Sequence, residues 1–143
     1  MSAMLGAAPD ADTVASGALS PEAQPAAEPA PALDAEKLVV YQIALELQAL
    51  CSGLVPAQQR VLHDQMERAS LSVVLNIAEG AGRFGADDKR RFYRFASGSA
   101  MECVGVLELL RNRGTLSEAG YESRRALLIR VIQMLSRLCG PPR

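Results

Sequence analysis

Residues 70–85 read "SLSVVLNIAEGAGRFG", and the fold of the chain turns on them. The β-branched first half could pass for a strand. The second half contains Gly80, Gly82 and Gly85 in the G-x-G-x-x-G spacing of a dinucleotide-binding turn, and Glu102 stands at about the distance of a ribose-binding acid. The competing reading is a helix. Leu71, Val74, Leu75 and Ala78 fall at i, i+3, i+4 and i+7, which is helical spacing.

The neighbours of this stretch decide for the helix. From Asp34 onward the pattern predicts four helical segments and no second strand bounded by turn signals. The first runs from about Asp34, a plausible N-cap, to Gly53, with Leu38, Tyr41, Leu45 and Leu47 to Leu50 on its apolar side. Pro56 breaks the pattern, and the second segment runs from about Ala57 to Gly82. Asp87 and Asp88, acids suited to the positive end of a helix dipole, open the third, which continues to about Asn112. Its seam is Phe92, Ala96, Ser99, Cys103, Val106 and Leu110. Gly114 stops it. Ser117 with Glu118 opens the fourth, whose apolar side is Tyr121, Leu128, Val131, Leu135 and Leu138.

Short connections make consecutive helices antiparallel neighbours, so the expected fold is all-α: an up-down-up-down four-helix bundle over residues 34–139. A glycine fingerprint between two helices lacks the strand and the βαβ unit that a dinucleotide site requires.

Residues 1–33 differ from the rest. They hold five of the eight prolines, many alanines, and no Lys, Arg or aromatic residue, a composition that predicts a disordered, weakly acidic tail. The tail lacks the basic start and apolar run of a signal peptide, and its four acids, Asp10, Asp12, Glu22 and Glu28, do not suit a transit segment. No apolar run approaches the roughly 20 residues of a membrane span, so a cytoplasmic location is expected. The formal charge of −1 conceals a mildly positive body, with 15 basic against 12 acidic side chains.

Three cysteines without C-x-x-C spacing speak against a disulfide framework and a zinc knuckle. His63, the single histidine, has no Glu three residues before it, so the di-iron bundle motif is missing. Nucleophilic triads are excluded by the same shortage. No enzyme activity, metal or cofactor is expected.

Two clusters remain. Asn76, Glu79 and Arg83 share one side of the second segment, and Ser99 and Glu102, next to Gly98, share one side of the third. A short loop would bring them level, which predicts a polar network of Asn76 and Glu79 facing Ser99 and Glu102, with Gly98 allowing a close approach. Gly80 and Gly82, with Gly85 in the loop, are expected to permit helix contact and then a positive φ at the cap; alternatively, backbone amides there hold an anion beside Arg83.

The second cluster is "RFGADDKRRFYRF", residues 83–95. Arg83, Lys89, Arg90, Arg91 and Arg94 are interleaved with Phe84, Phe92, Tyr93 and Phe95. Clustered cations suit phosphates and aromatic rings suit unpaired bases. The bland alternative has Phe92 and Phe95 in the core and the cations on a solvated face, partly balanced by Asp87 and Asp88. Residues 69–78 are apolar nearly all round, more than one bundle core covers, which predicts a subunit interface.

Taken together, "LVVYQIALEL", "QMERASLSVVLNIAEGAGR" and "RRFYRFASGSAMECVGVLEL" resemble the 23S rRNA-intervening sequence family, over about residues 36–138. N-I-A-E-G-x-G-R at 76–83 and F-x-x-x-A-x-G-S-x-x-E at 92–102 are the specific parts. A relative of that family is the accessory variability determinant protein of diversity-generating retroelements. The resemblance implies a left-turning four-helix protomer in a homopentameric ring without enzymatic activity. It also implies binding of nucleic acid and a reverse transcriptase through basic surface residues, here Arg83, Lys89, Arg90, Arg91 and Arg94. The chain departs from the family pattern in its long tail and in Tyr41, where a tryptophan is common. The expectation is a non-enzymatic oligomer that binds RNA or DNA as an adaptor, or else a protein-interaction ring with no nucleic-acid role.

Overall fold

A computed structural model describes residues 27, 28 and 30–141; most of the expected tail lies outside the described residues. Four helices follow in order, α1 (Val39–Cys51), α2 (Arg60–Ala81), α3 (Ala86–Asn112) and α4 (Glu118–Cys139), and among the described residues there is no strand. Each helix packs on its chain neighbours and α4 closes against α1. Cross-contacts set the direction: Ser72 meets Ser99 and Gly80 meets Tyr93, while the carbonyl of Leu50 meets Arg124. The result is the antiparallel bundle that the periodicity predicts.

The core takes fully buried side chains from every helix: Leu47 of α1, Met66, Val73 and Ile77 of α2, Cys103, Leu107 and Leu110 of α3, and Leu128, Val131 and Leu135 of α4. At about 1.5–3 kcal/mol for each large aliphatic side chain removed from water, this seam is the main source of stability.

The expected apolar sides need correction. In α2 the core stripe is Met66, Ser70, Val73, Val74, Ile77 and Ala81, whereas Leu71 and Leu75 are exposed, Leu75 by 63%. A helix apolar all round satisfies the i, i+3, i+4 rule twice, and the packed neighbours select one stripe. In α1 the buried set is Val40, Ile43, Ala44, Leu47 and Cys51, leaving Leu45 and Leu50 outside. Leu138 of α4 is also exposed.

Helix ends are corrected in the same way. Asp34 does not cap α1: its carboxylate meets Lys37 Nζ at 3.4 Å, and residues 34–37 form a turn in which the Leu38 amide donates to the Ala35 carbonyl at 3.1 Å. Pro56 opens a turn too, accepting from the Gln59 amide, so α2 starts at Arg60. Asp87 and Asp88 lie inside the first turn of α3, after the N-cap Gly85. At the other end of α3, Gly114 (φ 71°) donates to the Arg111 carbonyl and Thr115 donates to that of Leu110, a Schellman stop. Ser117 caps α4 by accepting the Gly120 amide at 3.0 Å.

Candidate nucleic-acid interface

The turn between α2 and α3 is held by one glycine and one lysine. A Cβ at Gly80 would lie 2.7 Å from Tyr93 Cε1, so the absent side chain lets α3 approach α2 there. Lys89 reaches back to donate to the carbonyls of Ala81 (2.8 Å) and Gly80 (3.3 Å) at the negative end of the α2 dipole, the second of which also accepts the Arg83 amide. The other two glycines correct the expectation of a positive φ: Gly82 has φ −81° and Gly85 has φ −82°. Gly98 serves no approach within the chain either, since nothing lies within 4 Å of its Cβ position.

The polar network across α2 and α3 is narrower than expected. Asn76 Nδ2 donates to the Ser72 hydroxyl and the Ser72 carbonyl, both at 2.9 Å, and the Ser72 and Ser99 hydroxyls meet at 2.7 Å. Glu79 does not face Ser99 or Glu102. It pairs with Arg83, four residues on and just past the end of α2, and Glu102 accepts instead from Gln65 at 2.6 Å. Two carboxylates that can each reach a nearby solvent-exposed donor gain more than two brought together, which would repel. Ser72, four residues before Asn76, is the member that sequence reasoning missed; its spacing to Asn76 was the available signal.

The five cations split by environment. Lys89 is committed to the end of α2. Arg90 pairs with Asp87 at 3.0 Å and is mostly covered. Arg83, while paired with Glu79, lies over the Phe92 ring at 4.7 Å, and Arg91 lies over Phe92 at 5.5 Å and Phe95 at 5.6 Å. Phe92 and Phe95 meet edge to face at 5.9 Å. Arg94 is exposed, with no hydrogen bond or ion pair among the described residues. Neither phenylalanine is the core residue of the bland reading: Phe95 is half exposed, Phe92 is partly covered, and the buried aromatic of residues 83–95 is Tyr93. Phe84 is fully exposed.

The helices that carry this surface lie within a match to a family of known proteins. The 23S rRNA-intervening sequence protein family matches residues 36–137. The chain belongs to that family. The match spans all four helices of the bundle, apart from the last residues of α4. No curated protein matches this family member.

Within the family bundle, the groups that could do chemistry are sparse. Among the described residues no three of His, Cys, Asp and Glu gather in a way that could hold a metal ion, and no helix is long and apolar enough to cross a membrane. His63 Nδ1 lies 2.9 Å from the Val55 carbonyl, where it ties the α1–α2 connection to α2. Cys51 and Cys103 are buried, and desolvation pushes their thiols up to about 11 and about 12, against an ordinary 9.0. Neither is a nucleophile at neutral pH.

Proposed function

We propose that this chain is a non-enzymatic, self-associating helical bundle that binds RNA or DNA through phosphate contacts. Arg91 and Arg94 make those contacts, with Arg83 beside them, ion-paired with Glu79 but more exposed than the paired Arg90. The observation that carries the reading is the state of Arg91 and Arg94, which stand on α3 without an acidic partner among the described residues. Arg91 is held against two rings, so less side-chain freedom is lost when a phosphate arrives. Lys89 and Arg90, which were grouped with them in the sequence, are engaged inside the protomer and are not assigned to phosphate.

Self-association is supported by α3 itself. Gly98 and Gly105 are exposed, seven residues apart on one side of the helix, with open space at both Cβ positions. A mid-helix glycine costs about 0.5–1 kcal/mol relative to alanine, and nothing in the protomer offsets it. Met101 between them, and Leu71 and Leu75 of α2, are exposed as well. A second copy packed on this face removes both anomalies, and a closed ring would repeat the cations of each chain around it. The pentamer and the reverse-transcriptase adaptor role implied by the resemblance to the retroelement protein belong to this proposal.

The test is a salt titration of nucleic-acid binding with the purified full chain. Log affinity should fall linearly with log salt, with a slope near −0.7 to −0.9 per phosphate contacted. Absence of binding at low salt would leave the rival reading, a protein-interaction ring assembled on the same exposed apolar face.

A further inference from the structure

We infer that the α2–α3 turn is a base-stacking site that selects unpaired over paired nucleic acid, with Phe84 as its platform; this deepens the phosphate-binding reading above and rests on it. Phe84 lies between the last residue of α2, Ala81, and the first of α3, Ala86, and its side chain is entirely outside the bundle. The rings of Phe92 and Phe95 already carry guanidinium groups. The ring of Phe84 carries none among the described residues.

The flanking glycines bear on this ring. Gly82 and Gly85 both have negative φ, so the backbone does not require glycine at either position. Packing does not require it either: a Cβ at Gly85 would meet nothing within 4 Å, and one at Gly82 would meet only backbone oxygens at an ordinary 3.7 Å. The turn that carries Phe84 therefore holds two glycines that neither backbone nor packing requires, and no side chain at either of them can cover the exposed ring.

Charge selects a nucleotide over an apolar partner. With Lys89 and Arg90 engaged inside the protomer, Arg83, Arg91 and Arg94 still leave this stretch positive at its surface, and Arg83 adjoins the ring in sequence. Gly98, on the exposed apolar face, is about 18 Å along α3 from Ala86 at 1.5 Å per residue, so a second copy seated there has its centre away from Phe84. A strand whose phosphates lie on Arg91 and Arg94 can place a base on Phe84. In a duplex the bases are stacked on each other and their faces are not available.

The experiment compares three probes of equal phosphate number at low salt: an oligothymidylate strand, an abasic deoxyribose-phosphate strand, and a duplex. The wild-type full chain should bind oligothymidylate about tenfold more tightly than the abasic strand, and Phe84→Ala should erase that difference without weakening the abasic complex. The chain has no tryptophan, so Phe84→Trp introduces a single fluorophore whose emission oligothymidylate should quench and the abasic strand should not. Equal binding of all three probes, unchanged by Phe84→Ala, overturns base stacking and leaves phosphate binding standing. No binding of any probe overturns both. Dissociation of an oligomer by Phe84→Ala assigns the ring to a subunit contact and rejects the stacking site.

Discussion

Gly80 faces the ring of Tyr93 so closely that a methyl group on Gly80 would sit 2.7 Å from Cε1 and 2.9 Å from Cδ1. Tyr93 is buried and cannot swing away, and the Phe92 Cβ closes the space from another side at 3.2 Å. Alanine normally stabilises a helix interior by about 1 kcal/mol over glycine. Here overpacking reverses the sign, and Gly80→Ala should lose about 1–3 kcal/mol. Thermal denaturation of Gly80→Ala beside Gly82→Ala checks it: the second, with room for its Cβ, should leave the midpoint nearly unchanged.

The serine bridge between α2 and α3 predicts an order of effects. The Ser72 hydroxyl is bonded to both Asn76 and Ser99, so Ser72→Ala removes two hydrogen bonds and leaves Asn76 only the Ser72 carbonyl, while Ser99→Ala removes one and leaves Ser72 still bonded to Asn76. With about 0.5–1.5 kcal/mol for each such bond, Ser72→Ala should cost roughly twice as much as Ser99→Ala. Urea unfolding of both variants at equal m-value measures it; equal losses would mean that the bond between the Ser72 hydroxyl and Asn76 adds nothing to stability.

Binding should follow the division of the cations. Replacing Arg91 and Arg94 together by alanine should reduce the salt slope by about two phosphate contacts, near 1.4 to 1.8. Arg90→Ala should leave the slope as it was, because that guanidinium is already paired with Asp87. A larger slope change from Arg90 than from the exposed pair would contradict the assignment.

Self-association should be sensitive where α3 lacks side chains. Gly98→Leu has space within the protomer, so it should leave the fold and its circular dichroism intact. If a second helix packs on that side, the same leucine should lower the molar mass seen by light scattering. A variant of unchanged mass would remove α3 from the interface.

The buried thiols give a pH prediction whose sign follows from desolvation. Burial favours the neutral thiol, so the native state retains protons at Cys51 and Cys103 that the unfolded chain releases above about 9.0. Their contribution is fully present below that pH and is lost as pH rises through about 11 and about 12. At pH 8 a thiol reagent should modify only the partly exposed Cys139 in the native protein, and all three cysteines in denaturant.

The stretch at 70–85 shows how far local pattern reaches. Helical period identified α2, the absence of a partner strand excluded the dinucleotide turn, and short connections then gave antiparallel neighbours. Gly114 as the stop of α3 and Ser117 as the cap of α4 were likewise legible, because hydrogen bonds with residues a few positions away decide them. Asp34 does not cap α1 because its carboxylate has a competing partner, Lys37, at an equally short range.

What local pattern could not settle was orientation. Leu71 and Leu75 satisfy the helical rule as well as Val73 and Ile77 do, and the choice between the two stripes is made by the facing side chains of α1 and α3. The same holds for charge. Arg83, Lys89, Arg90, Arg91 and Arg94 are a single basic run in the sequence, but Lys89 is bound to backbone carbonyls of another helix and Arg94 is free for solvent. Periodicity is a property of one helix, whereas burial and ion pairing are properties of two helices in contact, and they come into existence when the chain packs.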